Sequence, residues 1–239
     1  MSDTAKTLAV IQHTSSEYLG LLEDHLEGRR IRFRYFRPFT AGGRLPRIAE
    51  TADGLVLLGG GPWGVAAGVT QLPSLDAEIE LAAAALAAAT PLLGFGLGAQ
   101  IMALAAGGTV KPAPLVLEVG TASRVAEDAL AGLLPPSYPL VRYGRDAVSL
   151  PEGARVLARD ENGGWALAQL GEQAFGFAGH PGTKSAIIED LIMEFPETPC
   201  GTAAALPQLR AARPSIEAAL VPIMAGLIRA LHLMPQPRA

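Results

Sequence analysis

The strongest constraint on the fold is a pair of apolar segments that each run directly into glycines. Gly54–Leu58 (GLVLL) continues into Gly59–Pro62 (GGGP), and Pro91–Leu93 continues into Gly94–Gln100 (GFGLGAQ). Uninterrupted apolar strands are typical of a parallel sheet that is covered on both faces. Because ligand sites in such sheets lie beyond the carboxyl ends of the strands, both glycine loops are candidates for a functional site.

Strand-like and helix-like segments alternate through the first half of the chain. This alternation predicts an α/β fold with a doubly wound, mostly parallel sheet. Ser15 and Ser16 are candidate caps of the first helix, which would carry Leu19, Leu22 and Leu26 at helical spacing. The other predicted elements are strands at Thr7–Ile11 and Ile31–Tyr35 and helices over Leu72–Leu86 and Ile101–Ala106.

The second half is richer in strand patterns and ends in an apolar helix pattern. Ile216–Leu231 has apolar residues at helical spacing, and Pro222 is expected to kink this helix or to begin a new one. His180-Pro181-Gly182 follows the last predicted strand. The strand candidates are Pro139–Tyr143, Ala154–Ala158, Trp165–Leu170 and Ala174–Ala178.

Composition and charge narrow the class of protein. The chain has 239 residues, of which 49% are apolar and 18% charged, so a buried core is expected and disorder is not. The formal net charge of −4 and the lack of a dense basic block argue against a nucleic-acid partner. Arg29–Arg34 alternates basic and apolar residues, which is typical of one polar face of a strand.

The sequence gives no indication of a metal, a cofactor or a membrane span. Cys200 is the single cysteine, so neither an internal disulfide nor a cysteine-based metal site is expected. The N-terminal residues lack the pattern of a signal peptide. The apolar stretch 220–234 is shorter than the roughly 20 residues that span a bilayer. We therefore expect a cytoplasmic protein.

The order of the motifs resembles that of the class I, triad-type glutamine amidotransferases, most closely the stand-alone subgroup similar to the glutaminase domain of GMP synthase. Gly94–Gln100 resembles the family's nucleophile turn G-x-C-x-G-x-Q, and Gly60-Gly61-Pro62 resembles its G-G-P loop. His180–Gly182 resembles its H-P-E triplet. Tyr143–Asp146 and Leu150–Ala154 also resemble family segments. The resemblance implies a flavodoxin-like, three-layer sandwich.

Glutamine hydrolysis in that family needs a thiolate nucleophile, a histidine base and a carboxylate that orients the histidine. The resemblance places His180 at the base, Gly96 at the nucleophile and Gly182 at the carboxylate. Backbone N–H groups of Gly61 and Leu97 would form the oxyanion hole. Loss of a triad nucleophile costs on the order of 10⁶ in rate, so we expect no glutamine hydrolysis by the family mechanism.

Several residues have both a functional and a structural interpretation. Gly60, Trp63 and Gln100 are candidates for ligand binding, although a loop turn, packing and a helix start would explain the same residues. His180 could equally be a remnant that bonds only to backbone. Cys200 could be proposed as a substitute nucleophile, but no histidine is near it in sequence, and an unreactive thiol is the simpler interpretation.

These observations predict an amidotransferase-like domain over residues 1–200 and a C-terminal helical extension over 201–239, packed on the domain or on a partner. The predicted function is that of a pseudoenzyme, a regulatory or structural subunit that binds a small amide or amino acid. Its partner would be a synthetase-like protein or a second copy of the chain. Two alternatives stay open: an enzyme of another class that uses His180 and the oxyanion hole, or a docking subunit of a synthetase.

Overall fold

The computed structural model describes residues 5–234, and its first half alternates strands and helices as the sequence predicts. The predicted first helix begins six residues later than its expected serine cap, at Leu22. The hydroxyl of Ser16 instead donates to Glu194 at 2.6 Å, so a tertiary contact takes the place of the predicted cap. The elements are β1 (Thr7–Ile11), α1 (Leu22–Glu27), β2 (Arg32–Phe36), β3 (Leu55–Leu57), α2 (Leu75–Ala87), β4 (Leu92–Phe95) and α3 (Leu97–Ala105).

The second half supplies most of the antiparallel strands and the longest helix. All four strand candidates of this half lie on strands of the structure. The elements are β5 (Thr109–Lys111), β6 (Val116–Arg124), the single turn α4 (Ala129–Gly132), β7 (Ser137–Gly144), β8 (Ala147–Ser149), β9 (Arg155–Asp160), β10 (Trp165–Gly171), β11 (Ala174–Phe177), α5 (Ser185–Glu194) and α6 (Thr202–Ala230).

A nine-stranded sheet in the order β2-β1-β3-β4-β11-β10-β9-β6-β7 forms the middle layer. Strands β2, β1, β3, β4 and β11 are mutually parallel, and the remaining four continue the sheet in antiparallel pairing. Strands β5 and β8 form a separate antiparallel pair beside it. The predicted flavodoxin-like α/β architecture is confirmed.

Alternating side chains of the central strands enter two cores on opposite faces of the sheet. On β1, Leu8 and Val10 pack with α1 and α6, whereas Ala9 and Ile11 pack with α2 and α3. This alternation follows from the two-residue period of a strand and produces the three-layer arrangement. A third core lies between α5, the first half of α6 and strands β6 and β7.

Helix α6 continues through Pro222, so the prediction that this proline begins a new helix is wrong. By length and composition alone, α6 is apolar enough to cross a membrane. Its residues Leu220, Ile223 and Leu227 are nevertheless buried in the core beside the sheet. The boundary of a separate extension at residue 201 stays a prediction, and its last residues, 235–239, lie outside the described part of the chain.

Candidate functional site

The candidate site lies where four neighbouring parallel strands end. Strand β1 leads into His13–Glu17, β3 into Gly59–Gly61, β4 into Gly96, and β11 into the loop that carries His180. The register of the sheet holds these ends together, because Phe95 pairs with Phe177 across β4 and β11. The two glycine loops and the histidine that the sequence singles out therefore meet at one edge of the sheet.

Gly96 adopts the sharp backbone conformation of a strand-to-helix elbow. Its φ is 52° and its ψ is −114°, a combination that L side chains rarely adopt. The N–H of Gly96 donates to Phe177 O at 3.0 Å, and its carbonyl accepts from Gln100 N at 3.1 Å. A Cβ placed on Gly96 would meet only the Cα of Gly59, at 3.7 Å. The turn thus has the elbow backbone and room for a side chain that the sequence does not provide.

A carboxylate that sequence reasoning did not find occupies the loop opposite Gly96. Glu17 Oε2 accepts from Gly61 N–H at 2.9 Å, and the Glu17 residue is only 6% exposed. A Cβ on Gly59 would lie 1.7 Å from Glu17 Oε1, so the carboxylate can pack here only because residue 59 is glycine. The N–H that the resemblance assigns to the oxyanion hole is therefore already bonded to a carboxyl group of the protein itself.

Burial makes ionisation of Glu17 unfavourable. Desolvation raises the pKa of the Glu17 carboxyl to about 7, although the Gly61 N–H and the charge of His13 act in the opposite direction. No lysine, arginine or histidine nitrogen of the described residues forms an ion pair with it. Glu17 is thus a buried carboxyl without a cationic partner, which is uncommon in folded proteins.

Both ring nitrogens of His180 are bonded to backbone. Gly182 N–H donates to Nδ1 at 3.2 Å, and Nε2 lies 3.2 Å from Tyr18 O, which can only accept. The ring is therefore the tautomer protonated at Nε2, and it stacks on Phe95 with centroids 5.1 Å apart. Burial lowers the pKa of His180 to about 4, so the ring is neutral at pH 7 and has no lone pair available as a base.

The space around Gly182 is filled by apolar side chains. A Cβ on Gly182 would lie 2.4 Å from Leu22 Cδ1 and 3.1 Å from Leu220 Cδ2. The carbonyl of Gly182 accepts from Leu21 N–H at 2.8 Å, at the start of α1. A carboxylate side chain at this position would have to displace the packing of α1 and α6, whereas a side chain at Gly96 would not.

The other predicted site residues surround a cavity of about 340 Å³. Gly61, Trp63, Gly96, Leu97 and Gln100 line it, whereas Gly60 lies under the Leu97 side chain. The Leu97 N–H belongs to the first turn of α3, where N–H groups lack acceptors within the helix. These positions are consistent with the predicted ligand-binding roles, which stay predictions.

Gln100 and Asp146 shape the wall of this large cavity. Gln100 Nε2 donates to Arg145 O at 2.7 Å, and its buried Oε1 has no hydrogen-bond partner among residues 5–234. The Asp146 carboxylate accepts from Ala66 N–H at 2.9 Å and from Ala113 N–H at 3.2 Å. Trp63 packs edge-to-face on Phe195 at 5.3 Å. The wall is therefore held by the protein's own contacts, with one acceptor left over.

His13 and Glu78 form a fully buried pair beneath the glycine loop. His13 Nε2 lies 2.7 Å from Glu78 Oε2, and His13 Nδ1 donates to Gly59 O at 3.0 Å. Desolvation lowers the pKa of His13, but the Glu78 carboxylate outweighs it, so the net shift is upward. Ser74 also donates to Glu78, at 2.6 Å. The hydrogen bond from His13 holds the Gly59 carbonyl in place, and with it the loop Gly59–Gly61 against which Glu17 packs.

The remaining candidate, Cys200, is exposed and lines neither the large cavity nor the space between Gly96 and His180. Its backbone pairs with β6, because Cys200 O accepts from Leu117 N–H at 2.9 Å. Within residues 5–234 there is also no cluster of His, Cys, Asp and Glu with the geometry of a metal site. The thiol is therefore poorly placed to replace a nucleophile at Gly96.

The fold and the elbow define a class I glutamine amidotransferase-like protein, and comparisons with known proteins agree. Residues 22–193 match the family "Glutamine amidotransferase class-I", so the chain belongs to this family. Over 164 residues it is 30% identical to GMP synthase [glutamine-hydrolyzing] of Cytophaga hutchinsonii. That alignment covers 66% of this chain and only 30% of the synthase.

Two crystal structures have the same fold over nearly the whole chain. A glutamine amidotransferase from Methylobacillus flagellatus superposes with a TM-score of 0.81 at 23% identity, covering 99% of each chain. A glutamine amidotransferase from Thermotoga maritima gives a TM-score of 0.79 at 19% identity, covering 95% of this chain and 98% of the other. At this identity the likeness establishes the fold alone.

The elbow geometry predicts different costs for two substitutions in one turn. Gly96→Ala places a Cβ in open space and should cost about 1–3 kcal/mol of unfolding free energy, from backbone strain alone. Gly98→Ala places a Cβ 2.1 Å from Leu57 O and should cost more, about 3 kcal/mol or above. Urea unfolding of both variants measures the difference. Equal costs would contradict the geometry.

The buried Glu17 carboxyl predicts a pH dependence of stability. Its folded pKa is about 7, above the ordinary 4.5, so its contribution is fully present below pH 4.5 and is lost as pH rises through 7. Glu17→Gln should remove about 3 kcal/mol of the decline in unfolding free energy between these limits. Urea titrations of both proteins across this range test it, and parallel curves would exclude a raised pKa. Glu80→Gln, on the exposed side of α2, is the matched control.

Proposed function

We propose that this protein is a catalytically degenerate class I glutamine amidotransferase that binds a small molecule without hydrolysing glutamine. The observation that carries the proposal is Gly96, which has the backbone of a nucleophile elbow and no side chain to attack with. Nucleophilic catalysis needs a thiol or hydroxyl at this point, and its absence costs on the order of 10⁶ in rate.

The surroundings of Gly96 support the same proposal. His180 commits both ring nitrogens to backbone, and Leu22 and Leu220 fill the space at Gly182. The Glu17 carboxylate takes the Gly61 N–H and would repel the negative charge that develops on a carbonyl oxygen during acyl transfer. These contacts also count against the alternative of an enzyme of another class that uses His180 and the oxyanion hole.

The large cavity supports a binding role. Aromatic and polar residues are among those that line it, and the lining residue Gln100 has a buried Oε1 without a hydrogen-bond partner among residues 5–234. The proposed ligand is a small amide or an amino acid. A protein that binds without turnover would act as a regulatory or structural subunit. Ligand binding at this edge of the sheet would then change the contact with a partner that docks on the same face.

A docking role beside a synthetase is favoured by one further observation. The similarity to GMP synthase covers 30% of that protein, and the rest of the synthase lies outside the matched region. A synthetase-like partner chain would supply it. Co-purification of such a chain from the native cell supports this role, and a protein that stays monomeric and without partners there contradicts it.

Ammonia release from glutamine tests the proposed loss of catalysis. The purified protein should release ammonia no faster than a buffer control. Gly96→Cys should fold, because the added Cβ fits, yet it should stay near background because both ring nitrogens of His180 are bonded to backbone and the Glu17 carboxyl is bonded to Gly61 N–H. A coupled glutamate dehydrogenase assay measures both, with an active family member as the positive control.

Turnover by the unaltered protein at a rate similar to that of the positive control would overturn the proposal. Strong activity in Gly96→Cys alone would leave the proposal intact. It would show, however, that His180 and Glu17 rearrange enough to support a thiolate, contrary to the contacts described above.

A further inference from the structure

A second, much smaller cavity lies between Gly96, Glu17 and His180. Its free volume of about 10 Å³ is close to the minimum for one water-sized group. Gly96 and Tyr143 line both this cavity and the large one, so the two cavities are neighbours. Because Gly96 contributes no side chain between them, a ligand in the large cavity has its shortest route to the small one past Gly96.

Within the described part of the chain, several polar side chains line the small cavity without a hydrogen-bond partner or a cationic partner. Tyr143 and Thr183 line it, at 6% and 3% exposure. Their hydroxyl oxygens have no hydrogen-bond partner among the described residues. Glu17 adds a carboxylate that no protein cation pairs with, whereas His180 has already committed both nitrogens. Buried polar groups are normally satisfied, so this set points to a missing partner. The ionised Glu17 carboxylate can only accept, so a partner that contacts Glu17 has to be a donor.

A primary ammonium group matches this cavity in size and charge. It carries three N–H donors and one positive charge and is about as large as a water molecule. The ionised Glu17 carboxylate can accept from it, and the Tyr143 and Thr183 side chains, which line the same cavity, carry hydroxyls that can also accept. A carboxamide supplies only two donors and no charge, a carboxylate would be repelled by Glu17, and a quaternary ammonium exceeds the space.

We propose that the small cavity binds the ammonium head of a primary amine whose body occupies the large cavity beside Trp63 and Gln100. This inference rests on the proposed non-hydrolytic binding role and narrows its ligand class. The resemblance assigns the Gly61 N–H to the stabilisation of an anion. Because the Glu17 carboxylate is bonded to this N–H, this part of the site attracts a cation instead. An oxygen anion at Gly61 would have to displace Glu17, whereas an ammonium leaves the Glu17 to Gly61 hydrogen bond in place.

Three probes with the same four-carbon chain test the ligand class: n-butylamine, n-butyramide and butyrate, titrated into the full chain in phosphate buffer without Tris or ammonium. At about pH 8.5 the amine is protonated and Glu17 is ionised. The amine should bind at least about tenfold more tightly than the amide, because it gains a hydrogen bond to a buried charge. Chemical-shift changes in protein NMR spectra measure these affinities.

Variants assign the effect to named groups. Glu17→Gln should abolish the preference for the amine, Thr183→Val should weaken amine binding about fivefold, and the exposed control Glu80→Gln should leave it unchanged. If Glu17→Gln does not fold, the unaltered protein still provides a test. Its amine affinity should fall at least about tenfold between about pH 8.5 and 5.5 as Glu17 becomes protonated. The titratable groups that face Glu17 are His13, Tyr143, His180 and Glu194.

The outcomes are distinct from those of the ammonia assay. Equal or better binding of the amide or butyrate, a preference for amine that survives Glu17→Gln, or no binding of any probe would overturn this inference. Each of these would leave the absence of glutamine hydrolysis untouched. Ammonia release from glutamine would instead overturn the proposed function on which the inference rests.

Discussion

The contact between the Glu17 carboxylate and the Gly61 N–H, at 2.9 Å, is the interaction on which the properties of this site depend. It places a buried anion where acyl-transfer chemistry needs a group of donors aimed at a developing negative charge. The contact in turn depends on the absence of a Cβ at Gly59 and on the His13–Glu78 pair that holds the Gly59 carbonyl. A side chain at residue 59, or loss of the His13–Glu78 pair, should therefore weaken the hydrogen bond from Gly61 N–H to Glu17.

The sheet and the elbow at the candidate site are held by contacts that involve no reacting group. Strand register and two faces of apolar packing position the ends of β1, β3, β4 and β11 whether or not chemistry takes place there. Gly96 and Gly182, which the resemblance places at the nucleophile and at the carboxylate, differ in their surroundings. The space at Gly96 is open, whereas Leu22 and Leu220 have closed over Gly182. Restoring a triad therefore requires more than restoring a thiol.

Sequence reasoning recovered what depends on local pattern and failed where tertiary contacts decide. The apolar runs and glycines predicted β3, β4 and α3 and the meeting of the two loops, because burial on both faces and a turn with positive φ leave a clear signature. Ser16 did not cap a helix, because Glu194 competes for its hydroxyl. Glu17 carried no local signal at all. Its role arises only when the loop after β1 folds over Gly59, a contact separated by many residues in sequence.

The most direct test follows the Gly61 amide resonance in NMR spectra as a function of pH. If the Glu17 carboxylate accepts from this N–H, the Gly61 shift should titrate with a midpoint near pH 7, the pKa to which burial raises Glu17. The titration should vanish in Glu17→Gln and persist in Glu80→Gln. A Gly61 amide that does not respond between pH 5 and 9, or that responds equally in Glu17→Gln, would contradict the account.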